Sequence, residues 1–157
     1  MATASPHQSS SAAVPKRRRS SSPVFVASYR PESLSGLAII EQARQGVRTE
    51  QVDQLAQLLG MSLKEMAVVL QIAERSLHRF RTEGHLDEQA SERLLMLANL
   101  TAHGLLVFDG QPDALANWLR YPLRELKNQA PLQLLATISG FGLVDDVLTR
   151  IEYGVYS

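Results

Sequence analysis

His7, His78, His85, His103 and the adjacent carboxylates Asp145 and Asp146 are the residues with which this chain would do acid–base or metal chemistry. Their spacing argues against both. No two histidines stand four apart, as a zinc site on one helix requires, and neighbouring carboxylates on a helix point away from each other. The chain has no cysteine, so thiolate ligands, disulfides and cysteine nucleophiles are excluded. No glycine-rich phosphate loop is present. The expectation is a protein with no catalytic residues, no metal, no cofactor and no small-molecule substrate.

Binding chemistry is better represented. The sequence ends Arg150-Ile151-Glu152-Tyr153-Gly154-Val155-Tyr156-Ser157. Tyrosine combines a large contact area with few rotatable bonds and a polar tip, which suits insertion into another protein's pocket. Gly154 allows a turn that a β-carbon resists, and the Ser157 carboxylate is able to meet basic residues. Arg150 and Glu152 are candidates for rim ion pairs. The competing reading is a tail folded back on its own helix.

A second candidate surface lies in the middle of the chain. Two short helices joined by a tight turn near Gln71-Ile72 have the spacing of a helix-turn-helix, and the second presents Arg75, Ser76, His78 and Arg79. In a major groove, arginine reads guanine and the others touch bases or phosphates. The alternative is an ordinary solvated face. Residues 62–83 carry a net charge of only +1, so one such unit should bind DNA weakly without a dimer or a basic arm. The cluster Lys16, Arg17, Arg18 and Arg19 reads first as a solvated tail with no role, next as an arm gripping phosphates through Arg17 and Arg18, and last as a nuclear signal.

The formal charge of the 157 residues is zero, but residues 1–30 hold five basic and no acidic groups, leaving an acidic body. That first stretch, rich in Ser, Ala and Pro, reads as a disordered basic arm. No apolar run is long enough for a membrane span, and the start lacks a secretory pattern, so a cytoplasmic location without membrane contact is expected.

From Pro31 onwards the period is helical, and the expected fold is all-α. Leu34, Leu37, Ala38 and Glu41 step along a first helix that stops at Gly46, and Thr49 is placed to cap a second ended by Gly60. Ser62-Leu63-Lys64-Glu65 spells a capping box, flanked by Met61 and Met66 as a staple. Asp87 opens a long helix to about Phe108 that is apolar nearly all round and must be covered on several sides. A homodimer with Leu94, Leu97 and Leu105 near its interface would cover it, as would a self-contained bundle. Pro112 starts a helix carrying Leu115, Trp118 and Leu119, Pro131 starts a short one, and Ser139-Gly140 leads into the last, with Asp145 and Asp146 near its positive end.

These residues resemble the Xre/MbcA/ParS family of antitoxins, partners of RES-domain toxins. The likeness runs through Glu92-Arg93-Leu94-Leu95 and Phe108, Ala114-Leu115 and Trp118-Leu119, Pro131 to Leu135, and most specifically Arg150 to Ser157. Upstream, Ser62-Leu63 and Glu74 to Arg79 resemble the family's helix-turn-helix. Gln71 stands where that turn usually has glycine, Ala73 where a capping Ser or Thr is usual, and Lys127-Asn128 in place of a glycine-rich turn. The resemblance covers about Leu34 to Ser157 and implies a DNA-binding domain (31–85) and a toxin-binding and dimerisation domain (86–157), leaving out the disordered basic arm (1–30). It further implies a dimer in the bacterial cytoplasm that occludes the active site of an NAD-consuming RES toxin with Arg150, Glu152, Tyr153, Gly154, Val155, Tyr156 and Ser157. Its helix-turn-helix would bind the operator of its own operon and repress it. A stand-alone dimeric regulator, and an adaptor with a helix-turn-helix that binds no DNA, are the alternatives.

Overall fold

A computed structural model describes residues 31–155. Among these, eight α-helices follow one another: α1 (Gly36–Gln45), α2 (Glu50–Leu58), α3 (Leu63–Leu70), α4 (Glu74–Glu83), α5 (Glu88–Val107), α6 (Pro112–Arg120), α7 (Pro131–Leu134) and α8 (Ile138–Glu152). Half of them begin where a side-chain oxygen meets an amide left over at the helix start. Ser35, Ser62, Asp87 and Thr137 each accept from the amide three residues on. At α3 the box is complete, since the Ser62 amide donates to Glu65 at 2.7 Å and the Glu65 amide to the Ser62 hydroxyl at 3.1 Å. Met61 and Met66 are buried beside it.

Two helix starts differ from expectation. The hydroxyl of Thr49 makes no capping bond, because the residue is buried and already in helical conformation; its amide donates instead to the Gly84 carbonyl at 3.1 Å. The last helix begins at Ile138, capped by Thr137, so Asp145 and Asp146 sit two turns inside it and not at its positive end. Helix α1 forms where expected but turns a different face inward. Ile39 and Ala43 are buried, while Leu37 is exposed and Leu34 precedes the helix.

Helix α5 is the axis of the molecule, with α1, α3, α6 and α8 packed around it. Leu94 and Leu97 are 0% exposed and Leu105 is 8% exposed, all within this one chain. That corrects the expectation that these leucines face a second copy: side chains already covered by their own helices have no surface left to offer. The self-contained bundle is what covers α5, and the large apolar side chain it leaves outside is Leu106, 74% exposed. Burying Leu94, Leu97, Leu115, Leu119 and Leu148 contributes roughly 1.5–3 kcal/mol each.

Polar ties fix α5 to the rest. Asn99 donates to the Leu34 carbonyl and accepts from the Leu34 amide, both at 2.8 Å. The buried Ser91 hydroxyl accepts from the Val47 amide at 2.8 Å. Between α6 and α7 a short 3-10 turn (Arg124–Leu126) leads into Lys127 and Asn128, whose φ values of 55° and 61° are left-handed.

Candidate functional site

The end of α8 is built as a directed turn. The Val155 amide donates to Arg150 O at 2.9 Å and the Gly154 amide to Ile151 O at 3.1 Å, and Gly154 has φ +66°. This is the Schellman arrangement, which closes a helix and sends the chain off in a set direction through a left-handed residue. Tyr153 is 73% exposed and Val155 57% exposed. Neither lies back on the helix. Arg150 and Glu152 are also exposed; Tyr156 and Ser157 lie outside the described residues.

Glu152 has an inward partner. The ring of His103, on α5, faces Asp145 through Nδ1 at 2.7 Å and Glu152 through Nε2 at 3.2 Å. Asp145 and Glu152 stand seven residues apart on α8, two turns of one face. Burial disfavours the charged ring, but the hydrogen bonds and charges of the two carboxylates outweigh it and raise the His103 pKa. Both ring nitrogens donate only in the protonated form. The arrangement therefore favours imidazolium and pins the last turns of α8 to α5. Asp146, as its neighbour on the helix must, points elsewhere and is exposed. Among the described residues no group of three His, Asp or Glu is placed to hold a metal.

In the helix-turn-helix, α3 ends on Gln71 with φ 56°, a left-handed turn made without glycine. Ala73 precedes α4 at the capping position and supplies no side-chain cap, as the sequence implied. Leu77 and Phe80 are buried; Arg75, His78 and Arg79 are exposed on the opposite face, and Ser76 is half-buried at its edge. Arg79 lies over the Phe80 ring at 4.9 Å and pairs with Glu83 at 3.6 Å. Arg81 pairs with Asp53 of α2 at 3.2 Å, which fixes α4 against the helix before the motif. Arg17 and Arg18 fall outside the described residues.

Arg120, at the end of α6, was not singled out in the sequence. Its guanidinium donates to Gly60 O at 2.8 Å and Leu59 O at 3.2 Å, and meets the Glu65 carboxylate at 3.3 Å. It thus satisfies carbonyls at the end of α2 and grips the capping box of α3 at once. The Ser62 amide lowers the Glu65 pKa most, against opposing burial, and Arg120 adds to the lowering. A basic residue in a last helical turn was the available signal; its partners, some sixty residues away, were not legible.

Comparison with known proteins matches two stretches in tandem. Residues 38–99 match the antitoxin Xre-like helix-turn-helix domain, and residues 103–154 match the antitoxin Xre/MbcA/ParS C-terminal toxin-binding domain. The two meet inside α5, and the second stops at Gly154. An antitoxin Xre of Yersinia enterocolitica is 26% identical over 123 residues, covering 78% of this chain and 83% of that protein. An antitoxin Xre of Photorhabdus laumondii is 31% identical over 75 residues, 48% of this chain and 51% of the relative. A Prs ADP-ribosylating antitoxin of a Sphingobium species is 26% identical over 142 residues, 85% of this chain and 87% of the relative. No helix among the described residues is long and apolar enough to cross a membrane.

Proposed function

The chain belongs to the Xre-type antitoxins, with a helix-turn-helix domain and a toxin-binding domain, and on that premise we propose that it neutralises a RES-domain toxin by occluding that enzyme's active site with residues 150–157. The observation that carries this is the exposed pair Tyr153 and Val155 on a helix end whose turn and position are both fixed. A large apolar contact held outward in a set direction gains its burial from another molecule. The Sphingobium relative's name couples an antitoxin to ADP-ribosylation, which favours a toxin that uses NAD.

The second part of the reading is repression of its own operon through Arg75, Ser76, His78 and Arg79, with Arg17 and Arg18 gripping phosphates. A net charge of +1 over residues 62–83 calls for two copies on the operator, so a homodimer belongs to the proposal. The chain itself is read as catalysing nothing and living in the cytoplasm. The test is co-expression with the neighbouring gene's product, followed by an NAD-consumption assay. The full chain protects the cells and suppresses NAD loss, whereas a chain ending at Glu152 does neither. Full protection by the shortened chain would overturn the occlusion reading. A regulator that needs no toxin is the alternative, supported by the exposed basic face of α4; it predicts tight, salt-sensitive operator binding with no toxic neighbour.

A further inference from the structure

Three glycines stand inside α5 and α8, and two have reasons within the chain. A β-carbon on Gly104 would come 2.5 Å from Leu115 Cδ1, and one on Gly140 would run into the Leu134 carbonyl. The third, Gly142, has none among the described residues: a β-carbon there would meet nothing of theirs within 4 Å. Glycine inside a helix is less stable than alanine, because more backbone freedom is lost. The packing among the described residues therefore makes no use of this destabilising residue.

Beside Gly142 lies a groove of about 390 Å³ between α1, α5 and α8, floored by Met96, Leu100 and Phe141 and edged by His103 and Asp145. Leu143, 51% exposed, follows Gly142 along α8. Gly142, Asp146, Thr149 and Tyr153 stand at i, i+4, i+7 and i+11, one continuous side of the helix leading to the tail. At ~1.5 Å per residue that side is roughly 16 Å long, within the span of a single protein interface. The tail also needs it. Its two tyrosines and valine offer roughly 500 Å², short of the ~800 Å² per partner of a stable complex.

We propose that this groove is a second docking site for the same toxin that the tail engages, receiving an apolar side chain over Gly142. The proposal rests on the toxin reading above. The occupant is the toxin because the groove and Tyr153 share one side of one helix. Asp146, exposed one turn beyond Gly142 on the same side of α8, favours a basic group on the partner.

The test uses full-length Gly142→Ala and Gly142→Leu with the intact toxin, beside a chain ending at Glu152, with calorimetric affinity, melting temperature and solution mass as readouts. Gly142→Ala should raise the melting temperature, and Gly142→Leu should keep the fold while weakening toxin binding at least tenfold. If Gly142→Leu binds like the parent while the shortened chain does not, the groove is no docking site and the tail reading stands. If the shortened chain binds normally and Gly142→Leu does not, the groove stands and occlusion by the tail falls. A shift of the unbound protein from dimer to monomer on Gly142→Leu assigns the groove to a second copy and overturns the proposal.

Discussion

Replacing Gly154 by alanine separates the direction of the tail from the stability of the bundle. Gly154 has φ +66°, a conformation that costs an L-residue with a β-carbon about 1–2 kcal/mol. The new β-carbon itself meets nothing within 4 Å, so conformation and not crowding decides the outcome. The turn closes the last helix at an exposed end, and it opens without unfolding anything else. The whole cost then appears as a smaller population of the binding-ready tail, and 1–2 kcal/mol corresponds to roughly 5- to 30-fold in affinity. Calorimetric titration of the toxin should register that loss with the melting temperature unchanged. Gly154→Asn should recover part of it, since asparagine tolerates the left-handed region. An alanine variant that binds the toxin as tightly as the parent would refute the idea that this turn aims the tail.

Arg120→Ala should lower the unfolding free energy by about 1–2 kcal/mol, because the carbonyls of Leu59 and Gly60 and the Glu65 carboxylate lose a shared partner; urea denaturation at neutral pH that shows no change contradicts the latch. Ala73→Ser should stabilise the chain by about 1 kcal/mol by supplying the cap that α4 lacks, and a melting temperature that does not rise argues against it. His103 has a raised pKa in the fold, so the stability its clamp contributes is fully present below its ordinary value of about 6.5 and is lost as pH rises through the raised value. The urea midpoint should therefore fall with rising pH above about 6.5, and His103→Gln should flatten that fall; identical slopes refute the charged clamp.

Local signals in the sequence carried well into the structure. The Ser62–Glu65 capping box, the stop at Gly60, the entry at Asp87 and Pro112 at a first turn each depend on residues within one helical turn, and each is found. Reading which face of a helix points inward depends on neighbours, and there α1 went astray: Leu37 looks like a core residue until α5 is seen to receive Ile39 and Ala43. The same blindness placed Leu94 and Leu97 at a dimer interface, since an all-round apolar helix says that it must be covered and not by what. Helix α8 starts earlier than Ser139-Gly140 suggests, because Thr137 caps it and Gly140, which looks like a breaker in sequence, is there for the Leu134 carbonyl. His103 with Asp145 and Glu152, and Arg120 with Leu59 and Gly60, join positions 42 to 61 residues apart. No periodicity within one helix reveals such pairs.

The most direct measurement is a photo-crosslink from the tail. With a photoreactive residue in place of Tyr156 in the full-length chain bound to its toxin, peptide mapping should find the link on residues lining the toxin's NAD-binding cleft. Links confined to the antitoxin's own helices would contradict the claim that residues 150–157 plug the toxin's active site.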